Sequence, residues 1–283
     1  MSHPDPKTAN SADPSEWFDT NHRNWDERVP THLASQSYDV EGFKKGGCTL
    51  RDFDLEALPD VEGKDLVHLQ CHFGLDTLSW ARRGARVTGL DFSGPAIQAA
   101  REIAADIGID ARFVEANVFD ARKALGDGAT IDYDIVYTGL GALCWLPDLE
   151  RWADEAVGLV RPGGTLFLAE FHPFTDVFAD EDLSVQYPYF QGAEPMVWED
   201  EFSYVDGAPS LKNRRCYEWF HPISEVLNVL AQCGLVLEQA SEHDYTLFPR
   251  WPCLEQKEGK IFRLPEGTPS LPLIYTLRLR RPA

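Results

Sequence analysis

No two cysteines of this 283-residue chain are close enough to form a CxxC pair: Cys48, Cys71, Cys144, Cys216, Cys233 and Cys253 are scattered along it. That argues against a structural zinc site or a disulfide framework and for the reduced thiols of a cytosol. Long apolar runs are missing too. The longest, around Tyr137–Leu146, is broken by glycines and falls short of the ~18 residues of a membrane span. The opening MSHPDPKTANSADPSEW has neither a basic n-region nor an apolar h-region, so no signal peptide is expected and the chain reads as soluble and cytoplasmic. Lysine is scarce, with 8 Lys and 18 Arg against 46 acids, 25 of them Asp, for a net charge of −20. A self-repelling acidic surface suits either a high-salt cytoplasm, where ions screen it, or an ordinary acidic enzyme. It disfavours nucleic-acid partners, whose phosphates it repels.

What is present is enough to bury a core: 43% apolar residues and 12% aromatics exclude wholesale disorder. Residues 1–16 are polar and read as a disordered tail, and 17–60 as a helical cover carrying Trp17, Phe18, Trp25, Tyr38 and Phe43. Residues 61–283 form the main domain. There, 65–69 reads as a buried strand, 75–83 as a helix, 86–90 as a strand ending in Asp91, and 93–107 as a helix with Ser93 as N-cap and Pro95 in its first turn. Strands follow at 111–115 and 134–138, then a helix over 149–160, the turn Arg161-Pro162-Gly163-Gly164, and a strand over 165–171. The rhythm breaks at 172–216, read as an insertion, and resumes with a helix over 224–233 stopped by Gly234. Two last strands, 235–239 and 274–279, pair antiparallel around a second insertion at about 244–272. Alternating strands and helices imply a doubly wound α/β fold with a mostly parallel sheet and a ligand site beyond the carboxyl ends of the strands.

The loop Leu69-Gln70-Cys71-His72-Phe73-Gly74 keeps one glycine for close backbone approach to a ligand. Asp91, 17 residues after Gly74, stands where an acid can accept both ribose hydroxyls of an adenosine, with Phe92 beside it to pack on adenine. Asn117 and Val118 follow the third strand. With VHLQCHFG, VTGLDFS, FVEANVFD, YDIVYTGLG and LVRPGGTLFLAEF in this order, the chain resembles the class I S-adenosylmethionine-dependent methyltransferases over about 64–171, and in outline over 224–280.

The resemblance implies a Rossmann-like sheet of seven strands, the last antiparallel, and S-adenosyl-L-methionine as cofactor. It implies that Leu69, Gln70 and Gly74 hold the methionine part, Asp91 the ribose diol, Phe92 the adenine face, and Asn117 with Val118 the adenine edge. Thr138 and Gly139 then lie under the sulfonium. Two departures stand out: the family usually has glycine where Gln70 and His72 are, and aspartate where Asn117 is. Gln70 either bonds the cofactor or blocks its site.

For catalysis, His172 directly follows a strand, with Glu170 on the same side. It reads either as a base for methyl transfer to oxygen or nitrogen or as a histidine bonded to backbone before Pro173. His221 is a second candidate and His243 a weaker one. His72 reads as loop packing, Cys71 and Cys144 as small buried apolar residues, and no metal site is expected. The aromatics Tyr187–Phe190 and Trp198 form either a lid over an apolar acceptor or the core of the insertion. The expectation is methyl transfer to an unidentified small molecule. Its rivals are a nicotinamide oxidoreductase, which lacks its G-x-G-x-x-G here, and a non-catalytic or partner-activated relative. The resemblance also admits a small zinc-binding activator protein as partner.

Overall fold

The computed structural model describes residues 7–8, 14–126, 132–179, 181 and 183–283. In chain order it has β1 (Lys7–Thr8), α1 (Pro14–Ala34), α2 (Val40–Lys44), α3 (Asp52–Ala57), β2 (Asp65–Leu69), α4 (Leu75–Arg82), β3 (Arg86–Asp91), α5 (Gly94–Asp106) and β4 (Arg112–Glu115). These are followed by α6 (Ala121–Leu125), β5 (Tyr133–Thr138), α7 (Leu149–Gly158), β6 (Val160–Phe171), β7 (Met196–Glu199), β8 (Arg215–Glu218) and α8 (Ile223–Gln232). The chain closes with β9 (Val236–His243), β10 (Glu255–Gln256), β11 (Phe262–Arg263) and β12 (Ile274–Arg280).

Seven strands form one sheet in the order β4-β3-β2-β5-β6-β12-β9, with β12 antiparallel to both neighbours and β2 to β6 parallel. Leu66 to Leu69 are all buried because helices cover both faces of this strand. Val67, Leu69, Val136, Leu166 and Leu168 pack with α6, α7 and α8 on one face. Leu66, Ile135, Tyr137, Phe167 and Ala169 pack with α3 and Trp80 on the other. Ser93 caps α5 by accepting from Ala96 N, and Asp148 caps α7 by accepting from Arg151 N.

The structure departs from the sequence reading in several places, and the strand expected over 235–239 runs on to His243 as β9. The helix expected over 149–160 stops at Gly158, and β6 begins at Val160, not 165. Arg161–Gly164 is an irregularity within β6 where Gly163 takes φ +76°, and the register with β5 resumes at Ile135↔Thr165. Of residues 1–16, read as a tail, Lys7–Thr8 pair antiparallel with Met196 and Val197, and Pro14 opens α1, the position proline suits. Residues 1–6 and 9–13 of that tail lie outside the described residues. The insertion over 172–216 builds a small antiparallel sheet, β1-β7-β8, and the second one holds the β10–β11 hairpin.

Candidate active site

The strand order turns between β2 and β5, and the crevice beyond their carboxyl ends is the expected ligand position in such a sheet. The loop leaving β2 lines it. Gln70 and His72, standing where glycine is usual, take φ +56° and +52°, and Gly74 takes +76°. Left-handed backbone costs a non-glycine residue about 1–2 kcal/mol, so each side chain must be held. Gln70 Nε2 donates to Ala142 O at 2.8 Å. The His72 ring sits among Phe73, Trp25 and Tyr38, at centroid distances of 4.0, 5.5 and 5.5 Å. Burial holds its imidazole neutral, well below the usual histidine range. Gly74 starts α4, and a Cβ there would come within 2.6 Å of the Phe113 ring.

Asp91 ends β3 and ties the loop to the next helix: Oδ2 accepts from His72 N at 2.8 Å and Oδ1 from Ser93 N at 2.9 Å. Burial pushes its carboxyl up to about 6 against those two donors. Phe92 stacks on His22 of α1, with centroids 5.1 Å apart. Asn117 Oδ1 accepts from Phe119 N, starting a short 3-10 turn, and Val118 is buried beside it.

Across the crevice, the loop after β5 hangs on Glu170. Its Oε1 accepts from Gly141 N and Phe171 N, and its Oε2 from Ala142 N and Leu143 N. Burial raises this carboxyl to about 7 while four N–H groups favour its charged form. Leu69 and Thr138 are register partners, and both are fully buried.

Among the described residues, three buried polar atoms around this crevice have no hydrogen-bond partner: Gln70 Oε1, His72 Nε2 and Thr138 Oγ1. An unmade buried bond costs about 1–3 kcal/mol, so three together fit a polar ligand that completes them. The set also fits S-adenosylmethionine in kind. Gln70 Oε1 is an acceptor for an ammonium, Asp91 an acceptor for a diol, and Phe92 and Val118 are apolar surface for a purine.

The histidines named from sequence stand apart from one another in their bonding. His172 Nδ1 accepts from Phe174 N at 3.1 Å and Nε2 lies 3.0 Å from Glu242 Oε1, so the backbone-bonded arrangement is the one realised and both nitrogens are engaged. His221 Nε2 lies 2.8 Å from Leu146 O, and its Nδ1 is 3.7 Å from Glu225. Burial lowers both pKa values. His243 packs against Phe53 and Tyr245. Trp198 and Tyr187 pack with Met196, Cys216, Phe220 and Trp145, while Phe190 is exposed. Cys71 is buried and Cys144 half-buried.

Sequence reasoning did not single out α1 as a wall of the site. Trp25 meets His72 and Trp145, Asp26 accepts from Ser93 Oγ, and Phe18 meets Phe119. His32 packs on Tyr38 and Tyr204 and shares a 2.7 Å bond with Ser203 Oγ. The signal was there: Phe18, His22, Trp25 and His32 recur at helical spacing. On its other side α1 is fixed to the insertion, with Asn21 bonding Tyr217 N and O, and Arg28 bonding Asp200.

Residues 67–166 match a family model described as a methyltransferase domain. The chain is 30% identical over 141 residues to the ubiquinone biosynthesis O-methyltransferase of Pectobacterium atrosepticum, covering 48% of this chain and 56% of that protein. It is 32% identical over 142 residues to the protein of that name from Escherichia fergusonii, covering 48% and 57%. The chain thus spans about half the length of the curated relatives it matches. Among solved structures, the Burkholderia thailandensis 1,6-didemethyltoxoflavin-N1-methyltransferase, with that compound and S-adenosylhomocysteine bound, shares the fold. Its TM-score is 0.56 at 14% identity, over 98% of this chain and 94% of that one. An S-adenosylmethionine-dependent methyltransferase from Clostridium acetobutylicum gives 0.55 at 10% identity, over 94% and 99%. With the order β4-β3-β2-β5-β6-β12-β9 and an antiparallel β12, the chain has the fold of S-adenosylmethionine-dependent methyltransferases, and its residues 67–166 match a methyltransferase domain.

Proposed function

We propose that this protein moves a methyl group from S-adenosyl-L-methionine to an oxygen or nitrogen of a small molecule. The observation that carries the reading is the loop 70–74. Gln70 and His72 stand where the family usually has glycine yet hold left-handed backbone, so the path of the loop is kept, and among the described residues the buried Gln70 Oε1 and His72 Nε2 have no hydrogen-bond partner. Gln70 therefore reads as a cofactor contact and not as a plug. The named O-methyltransferase relatives support a small acceptor, and the charge of −20 supports one that is not a nucleic acid.

In this reading Gln70, Asp91, Phe92, Asn117 and Val118 orient the cofactor, which when bound supplies an electrophilic methyl group. Thr138 and Gly139 bound the place where it is presented, and Glu170 fixes the loop beneath it. The chain contributes alignment and the exclusion of water more than acid–base power. α1, with Trp25 and His72, closes the crevice on one side.

Calorimetric titration of the full chain with S-adenosylmethionine and S-adenosylhomocysteine, NADH serving as control, tests it. Micromolar binding of the sulfur ligands alone is expected. A chain that binds neither would overturn the enzyme reading in favour of a binding subunit dependent on an activator protein.

A further inference from the structure

One buried histidine, His68, lies on the central strand β2. β2 sends Val67 and Leu69 to one face of the sheet and Leu66 and His68 to the other. His68 stands edge-on to Tyr137 with ring centroids 4.7 Å apart, and its Nδ1 is 2.9 Å from Thr77 Oγ1. Its other nitrogen is turned toward the crevice. The space that a side chain on Gly139 would enter is bounded by His68 Nε2 at 3.5 Å and Asp76 Oδ2 at 3.8 Å. Gly139 follows β5, directly across the switch point from β2, so this nitrogen faces the crevice where the topology places a ligand.

The surroundings are charged, with two carboxyls, Asp76 and Asp54, sharing one guanidinium, Arg51. Asp76 pairs with Arg51 and accepts from Thr49 Oγ1. Arg51 also reaches Asp54 at 3.4 Å, and Asp54 accepts from the Tyr137 hydroxyl at 3.0 Å. Half-buried Leu50, Leu140, Phe171, Tyr245 and Leu247 pack on the same face, so apolar side chains flank this polar group.

We propose that His68 Nε2 accepts the proton of the methyl acceptor, a neutral O–H or N–H nucleophile carried on an apolar body. The proposal rests on the methyltransferase reading. A bond forms between the acceptor atom and the methyl carbon while the carbon–sulfur bond breaks, its electron pair leaving sulfur as a neutral thioether. The acceptor's proton passes to Nε2, and the imidazolium later releases it to water. Burial lowers the His68 pKa to about 4, with Asp76 opposing that shift and Arg51 adding to it, so the ring is neutral at pH 7. In the tautomer this proposal requires, Nδ1–H donates to Thr77 Oγ1 and the Nε2 lone pair faces the crevice. The positive charge lost from sulfur reappears on the ring beside Asp76, so the total charge of the site is unchanged during the reaction.

The test is imidazole NMR of the uniformly ¹⁵N-labelled full chain, with His68→Gln assigning the resonances. At pH 7 the free protein is expected to show His68 unprotonated at Nε2 and protonated at Nδ1. Saturation with S-adenosylmethionine, compared with S-adenosylhomocysteine, is expected to move the His68 Nε2 signal and to lower the pH at which it titrates, leaving His221 in place. His68→Gln is expected to bind S-adenosylhomocysteine within about threefold of the unaltered chain. The opposite tautomer, or both ligands binding with identical His68 signals, overturns the proposal while leaving the cofactor site intact. Binding of neither ligand overturns the methyltransferase reading and the proposal with it.

Discussion

The two loops that face each other across the switch point are held by opposite means. Residues 70–74 carry side chains where backbone conformation favours glycine, and the cost is conformational. It is offset by burying the His72 ring among aromatics and by one bond from Gln70. Residues 139–143 have glycine at 139 and 141, and their cost is the burial of a carboxyl, offset by four N–H bonds to Glu170. Ala142 joins the two arrangements, since its carbonyl accepts from Gln70 and its N–H donates to Glu170. A glutamine in a backbone conformation that favours glycine thus ties the first loop to the second. The crevice is shaped by two devices with separable energies.

The largest expected effect comes from removing the carboxyl. Glu170→Ala strands four backbone donors, three of them in one loop, and should cost about 3–5 kcal/mol of stability in urea unfolding. Glu170→Gln keeps one acceptor oxygen and should cost about 1–2 kcal/mol. A loss below about 1 kcal/mol for the alanine variant would mean that the loop is held from the first side alone.

Acidity separates the same two devices. The Glu170 pKa, raised to about 7 by burial, exceeds its unfolded value of about 4.3. The folded state therefore binds this proton first, and the contribution to stability is present at low pH and lost as pH rises through about 7. The gap between the unaltered chain and Glu170→Gln should accordingly be wider at pH 5 than at pH 8, by about 2 kcal/mol. His32 and His68, lowered to about 3 and about 4, act in the other direction, losing stability as pH falls below about 6.5. Both chains share them, so they cancel in the difference. A gap that does not change with pH would show Glu170 charged throughout.

Asp91, at the end of β3, is bonded to the first loop through His72 N but bears on ligand binding more than on shape. Asp91→Ala should weaken S-adenosylhomocysteine binding by about 1–3 kcal/mol in calorimetry, the range for stranding hydrogen-bond partners. Unchanged affinity would leave Asp91 only its bonds to His72 N and Ser93 N.

The parts legible in sequence are those where periodicity and local chemistry decide. The buried strand at 65–69 and the Ser93 cap follow from residue patterns within a few turns, and the antiparallel pairing of β9 with β12 from the lack of a helical pattern between them. The helix over 149–160 ran two residues long because Leu159 and Val160 continue an apolar period that the sheet claims instead. What was not legible depends on distant partners. Nothing near Glu170 announces that it gathers N–H groups from 141–143, and nothing near His68 announces Gly139. His172 is the instructive case: its position at a strand end drew attention, but Phe174 N and Glu242 occupy both nitrogens.

The smallest expected effect tests whether strain in the first loop is compensated. Gln70→Gly relieves left-handed backbone worth about 1–2 kcal/mol. It also loses the bond to Ala142 O, worth about 1 kcal/mol, and lets the unfolded chain gain entropy worth about 0.5–1 kcal/mol. These nearly cancel, so urea unfolding should place Gln70→Gly within about 1 kcal/mol of the unaltered chain. His72→Gly relieves the same strain but removes a ring packed against Trp25, Tyr38 and Phe73, and should cost about 2–3 kcal/mol more than Gln70→Gly. If Gln70→Gly instead stabilised the chain by well over 1 kcal/mol, the left-handed backbone at 70 would be strain the fold leaves uncompensated. If the two variants behaved alike, the aromatic packing of His72 would count for little, and the first loop would be held, like the second, by hydrogen bonds alone.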